Sequence, residues 1–203
     1  MLVDSHCHID FPDFVEDLPG VLERAFEADV GHLLCVCVNL SDFQRVLAVA
    51  NRSERISASV GVHPNTRLEP NEEPTEESLK TLGSDPKVVA IGETGLDFYR
   101  DDCDVQTQRD RFARHIRAAR QVEKPLIVHT RQAARETLDL MKSEKASESG
   151  GVMHCFAEDW ATAKGALDLG FYISFSGIVT FKNAEALRDV ARKVPLDRIL
   201  VET

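Results

Sequence analysis

The sequence lacks any apolar run near the roughly 20 residues that a membrane-crossing helix requires. Its start, Met1-Leu2-Val3-Asp4-Ser5, lacks the basic flank, apolar stretch and small-residue cleavage site of a secretory signal. The expectation is a soluble, cytoplasmic protein without a membrane partner. Cysteine is scarce and odd in number, five in 203 residues. Cys7, Cys35, Cys37 and Cys155 fall in apolar strand-like runs rather than in the paired, loop-rich spacing of a disulfide scaffold. They read as reduced core thiols. Positive charge is in deficit too, with 24 Lys and Arg against 34 Asp and Glu, a formal net charge of −10. That balance excludes a protein that coats nucleic acid with its whole surface, because backbone binding needs cations that displace counterions. It leaves room for an enzyme that holds phosphate on metal ions and a few local cations. A Gly-rich turn is missing after the first apolar run, where Ser5-His6-Cys7-His8 stands instead, which argues against a dinucleotide-binding domain.

What is present is alternation. Eight short runs rich in Val and Ile occupy Leu2–His8, His32–Asn39, Ile56–His63, Val88–Leu96, Pro125–Thr130, Gly151–Phe156, Phe171–Val179 and Ile199–Thr203. Between them, stretches such as Asp13–Ala28, Gln106–Arg120, Ala133–Lys142 and Ala184–Lys193 repeat apolar residues every three or four positions, which predicts helices. Doubly buried strands that alternate with helices build either an open doubly wound sheet or a closed barrel, and a count of eight favours an α/β fold of the TIM-like (β/α)8 barrel type. Leu68–Ser78, rich in Glu and Pro, reads as a solvated rim loop. No domain boundary is visible. A complete barrel of this kind uses about 250 residues and ends in a helix, so the expectation is a single domain over 1–203, truncated after strand eight and lacking a C-terminal segment.

In such barrels the chemistry sits at the C-terminal strand ends. His6 and His8 end the first run, His63 the third, Glu93 lies near the end of the fourth, His129 ends the fifth and His154 lies in the sixth. Residues two apart on a strand point the same way, so His6 and His8 aim at one place while Cys7 points away. Neutral imidazole suits Zn, Mn or Fe, and a carboxylate can bridge two ions; Glu93 is the natural bridge. A lone strand-end histidine is usually a hydrogen-bonded structural residue, but five on one rim beside a glutamate point to metal. A nucleophilic site is disfavoured. Cys7 turns away from the imidazoles, and Ser5 and Ser176 lack the sharp Gly-flanked turn of a catalytic serine.

Asp4-Ser5-His6-Cys7-His8-Ile9-Asp10, Gly61-Val62-His63-Pro64, Gly92-Glu93-Thr94-Gly95-Leu96-Asp97, Val128-His129-Thr130-Arg131, His154-Cys155-Phe156 and Ser174-Phe175-Ser176-Gly177 follow one another along the chain. Together they resemble the successive motifs of TatD-type deoxyribonucleases of the amidohydrolase superfamily, in order and spacing across the whole chain. The resemblance implies cleavage of DNA phosphodiesters, as an exonuclease on single strands, with two divalent ions of Zn, Mg or Mn. It places one ion on His6, His8 and Glu93 and the other on Glu93, His129 and His154. Glu93 and His63 would be the catalytic residues, His63 facing the substrate phosphate; the alternative for His63 is packing beside Pro64. Asp97 and Arg131 read either as site neighbours or as rim salt-bridge partners. Tyr99 and Arg100 could contact a nucleotide or simply be exposed.

The family continues Val-Glu-Thr with an aspartate, and the sequence here reaches Glu202-Thr203. The expectations from that departure are weaker metal binding, slower cleavage, and an uncovered apolar groove that favours self-association; no other protein partner is evident. The role of Glu202 is open. The rival readings are an esterase or deacylase of the same architecture, deacylation of mischarged tRNA included, and a catalytically impaired metal-binding barrel.

Overall fold

The computed structural model describes residues 1–100 and 102–203. Eight strands, β1 (Leu2–Cys7), β2 (Val30–Cys35), β3 (Ile56–Val60), β4 (Val88–Asp97), β5 (Leu126–Arg131), β6 (Gly151–Met153), β7 (Tyr172–Phe175) and β8 (Ile199–Val201), pair in parallel with their sequence neighbours, in chain order. Helices α1 (Pro12–Val15), α2 (Leu18–Glu27), α3 (Phe43–Ala50), α4 (Glu76–Gly83), α5 (Val105–Val122), α6 (Ala134–Ser143), α7 (Trp160–Asp168) and α8 (Glu185–Lys193) fill the connections. The TIM-like barrel is therefore present and nearly closed.

β8 meets β1 through few groups. Ser5 Oγ donates to Val201 O (2.9 Å), Thr203 N–H is shared between His6 O (3.3 Å) and Asp4 Oδ1 (3.1 Å), and Thr203 Oγ1 donates to Asp4 Oδ2 (2.6 Å). Alternation along the strands separates two apolar layers. Val36, Ala90, Ile127 and Val152, with Leu34 and Leu200, pack as one cluster inside the barrel, while Cys7, Cys35, Val60, Ile91, Leu126, Val128 and Ile173 pack with the helices outside it.

Several boundaries differ from those the sequence suggests. The single helix expected over Asp13–Ala28 is two, because Pro19 inside it would remove a backbone donor and clash with the preceding turn; Pro19 is instead accommodated in the first turn of α2. The rim loop ends before Ser78, since Thr75 caps α4 in a reciprocal pair with Ser78. α5 begins where Asp104 accepts from Thr107 N–H and ends at Glu123 in a left-handed conformation. Cys7, Cys35 and Cys37 are buried free thiols, and burial pushes Cys7 up to about 12. Cys155 departs from that group: it lies in the turn after β6, half-buried, with Sγ 3.1 Å from Ser176 Oγ. No helix among the described residues is long and apolar enough to cross a membrane.

Candidate active site

β1 turns Asp4, His6 and His8 to the inside and Cys7 to the helices, as alternation requires. β4 passes close against β5 in a register that pairs Gly95 with His129. At Gly95, φ is +138° and a Cβ would collide with the His129 carbonyl, so only glycine allows that approach. The result is a buried Glu93 encircled by histidine. Its Oε2 lies 3.3 Å from His6 Nε2; its Oε1 lies 2.7 Å from His154 Nε2, 3.2 Å from His129 Nδ1 and 3.3 Å from His63 Nε2. His8 Nε2 is 3.1 Å from His6 Nε2, and the His6 and His154 rings stack with centroids 4.1 Å apart. All five strand-end histidines and Glu93 thus converge on one mouth.

The far nitrogen of each ring decides what the near one offers. His8 Nδ1 donates to Val36 O (3.2 Å), His129 Nε2 to Asp97 Oδ2 (3.1 Å) and His154 Nδ1 to Glu202 Oε1 (3.4 Å). When those three rings are neutral, each therefore turns a lone pair toward the site, the arrangement of metal-ligating imidazoles. His63 is opposite. Its Nδ1 accepts from Asn65 N–H (3.1 Å), so its Nε2 carries the proton and faces Glu93 as a donor. Donor atoms of His6, His8 and Glu93 lie within 4.8 Å of one another, as do those of His63, Glu93 and His129, and those of His6, His154 and Glu202. Only the first of these groups is one of the two sets that the family resemblance implies; the second has His63 where that set has His154, and the third lies outside both.

The electrostatics favour a cation. Burial alone would raise Glu93, but His154 and the hydrogen bonds from His129, His154 and His6 hold it well below the ordinary carboxylate range. Burial opposes an imidazolium at His154, yet Glu93 and Glu202 outweigh it and push His154 up to about 10. At His129, Asp97 and Glu93 likewise overcome burial and raise the pKa, whereas burial and the neighbouring His154 lower that of His6. His6 Nδ1 and Glu202 Oε2 are buried with no hydrogen-bond partner among the described residues. A buried carboxylate ringed by imidazole nitrogens, with rings oriented from behind by carboxylates and a carbonyl, fits a divalent ion that takes the place of the imidazole protons.

Of three supporting residues, Asn65 escaped the sequence reading, the role of Glu202 was open, and Asp97 was weighed as a site neighbour against a rim partner of Arg131. Asp97 is a buried anchor rather than a rim partner of Arg131: it accepts from His129, from Asn65 Nδ2 (2.8 Å) and from the Tyr99 and Arg100 amides, and its own N–H donates to Gln108. Arg131 lies instead over the Tyr99 ring, 3.8 Å from its centroid. Glu202 supports His154, and Asn65 sets the His63 tautomer. Only the position of Asp97 at the end of β4 offered a signal. Above the cluster opens a cleft of about 650 Å³ lined by His8, His63, His129, Arg131, Cys155 and Glu158, among others.

A (β/α)8 barrel with a histidine-ringed glutamate at its mouth has the donor set of a metal-dependent hydrolase. Residues 3–203 match the model of the TatD related DNase family, and the chain belongs to that family. It is 47% identical over 205 residues to YcfH of Escherichia coli K12, described as an uncharacterized metal-dependent hydrolase, covering 100% of this chain and 76% of that protein. It is 36% identical to a Bacillus subtilis metal-dependent hydrolase, YabD, across 100% of this chain and 79% of the relative. The crystal structure of the TatD homologue YjjV of Escherichia coli K12 superposes with a TM-score of 0.91 at 32% identity, covering 100% of this chain and 78% of that one. The chain is thus a metal-dependent hydrolase.

Proposed function

We propose that this hydrolase cleaves phosphodiester bonds of DNA, acting as an exonuclease on single strands. The observation that carries the reading is the contrast between His63, whose Nε2 carries an N–H into the site, and the rings of His8, His129 and His154, whose far nitrogens donate to partners behind them and whose near nitrogens can bind an ion in place of a proton. A phosphodiester carries a non-bridging anionic oxygen that accepts such a donor, and the negative charge that develops there in the transition state strengthens the bond. His6, His8 and Glu93 would hold one divalent ion, and Glu93, His129 and His154 a second. Such ions, Zn, Mg or Mn, supply charge neutralisation of the phosphate and acidification of water. Asp97 and Glu202 keep the His129 and His154 rings turned inward. The apolar cluster below closes the site against solvent from the barrel interior. The family's description as DNases and the cleft volume agree with this substrate.

The test is nucleotide release from an end-labelled single-stranded oligonucleotide with added Mg, Mn or Zn, run beside hydrolysis of a carboxylic ester, an aminoacyl ester and a phosphotriester. The reading expects the oligonucleotide to be preferred and chelator to abolish its cleavage. Turnover of an ester or triester with the oligonucleotide left intact would assign the site to another hydrolase chemistry.

A further inference from the structure

Tyr99 is 57% exposed, although it sits two residues beyond a fully buried anchor. Its amide donates to Asp97 Oδ1 (3.0 Å), the same carboxylate that holds His129, so the backbone carrying the ring is tied to the catalytic cluster. One side of the ring is covered by the Arg131 guanidinium. Arg131 stands two residues after His129 on β5 and lines the cleft; it is the one Lys or Arg among the described residues that do so. In a chain of net charge −10 that placement gives the mouth a local cation where an anionic substrate must enter.

We propose that Tyr99 and Arg131 form a binding subsite for an unpaired nucleobase and its flanking phosphate, beside the phosphodiester to be cleaved. The inference rests on the nuclease reading and adds what selects the strand. The outer face of Tyr99 stacks on a base, which every nucleotide offers irrespective of sequence. The guanidinium, packed against the inner face, directs its N–H edge to the phosphate. A base in a duplex is already stacked and paired on both counts, so an intact end must open before it can use the subsite.

The test uses the full chain and a short DNA strand with 2-aminopurine at its terminal position, whose fluorescence is quenched on stacking. Binding without added metal should quench the wild type and Tyr99→Phe, and Tyr99→Ala much less. In turnover with metal, kcat/KM on the oligonucleotide relative to that on a dialkyl phosphodiester without a base should fall roughly 10- to 100-fold in Tyr99→Ala, mostly through KM. Tyr99→Phe should restore it. Arg131→Ala should show a similar loss that Arg131→Lys recovers only in part. The subsite is overturned if Tyr99→Ala degrades oligonucleotides and quenches 2-aminopurine like the wild type, or if both substrates suffer equally. If the wild type turns over dialkyl phosphodiesters but neither binds nor degrades the oligonucleotide, the nuclease reading falls and the subsite with it.

Discussion

His63 and Glu93 face each other across 3.3 Å, and exchanging either should have distinguishable effects. Glu93→Ala removes the carboxylate around which the other donors are grouped, so bound metal and oligonucleotide cleavage should be lost together. Elemental analysis of the purified variant beside its activity checks this, and wild-type metal content would remove Glu93 from the ligand set. His63→Ala should instead retain its metal and lose roughly 10²- to 10³-fold in turnover, the usual cost of one hydrogen-bond donor to a developing anion. Metal loss in that variant would make His63 a ligand. The histidines themselves were legible because each stands at a strand end, where side-chain direction follows from alternation alone. Their roles were not, since a tautomer is set by the partner behind the ring. Val36 O and Glu202 approach His8 and His154 only once β1, β2, β6 and β8 are arranged in the barrel, while the Asn65 N–H reaches His63 within the turn after β3, whose geometry the sequence does not spell out.

α5 acts as a strut for the loop that bears His63. Arg111, almost fully buried, donates to His63 O (2.9 Å) and Pro64 O (3.0 Å) and pairs with Glu73, while His115 Nε2 accepts from Val62 N–H (3.0 Å). Arg111→Met leaves Glu73 with only the more distant Arg114 (3.6 Å) and takes the Arg111 donor from Pro64 O, and should cost about 3 kcal/mol in chemical denaturation. His115 yields a pH prediction. Burial lowers its pKa from 6.5 to about 4. Above pH 6.5 neither the folded nor the unfolded chain holds the proton. As pH falls toward 4 only the unfolded chain takes it up, so up to about 3 kcal/mol of stability is lost across that window. His115→Gln should flatten the slope of unfolding free energy between pH 6.5 and 4; an unchanged slope would show that His115 is not the group responsible. The helical period of Gln106–Arg120 was plain in the sequence, but the polar residues on its inner face were not separable from solvated ones. Their partners Val62, His63 and Pro64 lie in the loop after β3, 47 to 53 positions away. The break at Pro19 was a local signal that the apolar spacing on either side concealed.

For the molecule as a whole, charge sets how substrate arrives. A binder that tracks DNA with many cations weakens steeply as salt rises, by about 0.7 log units per contacted phosphate for each decade of salt with single strands. Here Arg131 is the one Lys or Arg among the described residues that line the cleft and the net charge is −10, so log KM against log salt should rise with a slope no steeper than about 1. Steady-state kinetics between low and physiological salt decide it; a slope of several units would reveal a basic path outside the cleft. The barrel class was readable from eight alternating runs, whereas its seam, which depends on Ser5 and Asp4 meeting Val201 and Thr203, was not. That seam joins residues almost 200 positions apart and brings the carboxylate of Glu202 behind His154 within the same mouth as His6. A chain emerging from the ribosome therefore displays His6 and His8 long before the last of their neighbours exists. Assembly of the mouth waits until β8 has been made and has met β1.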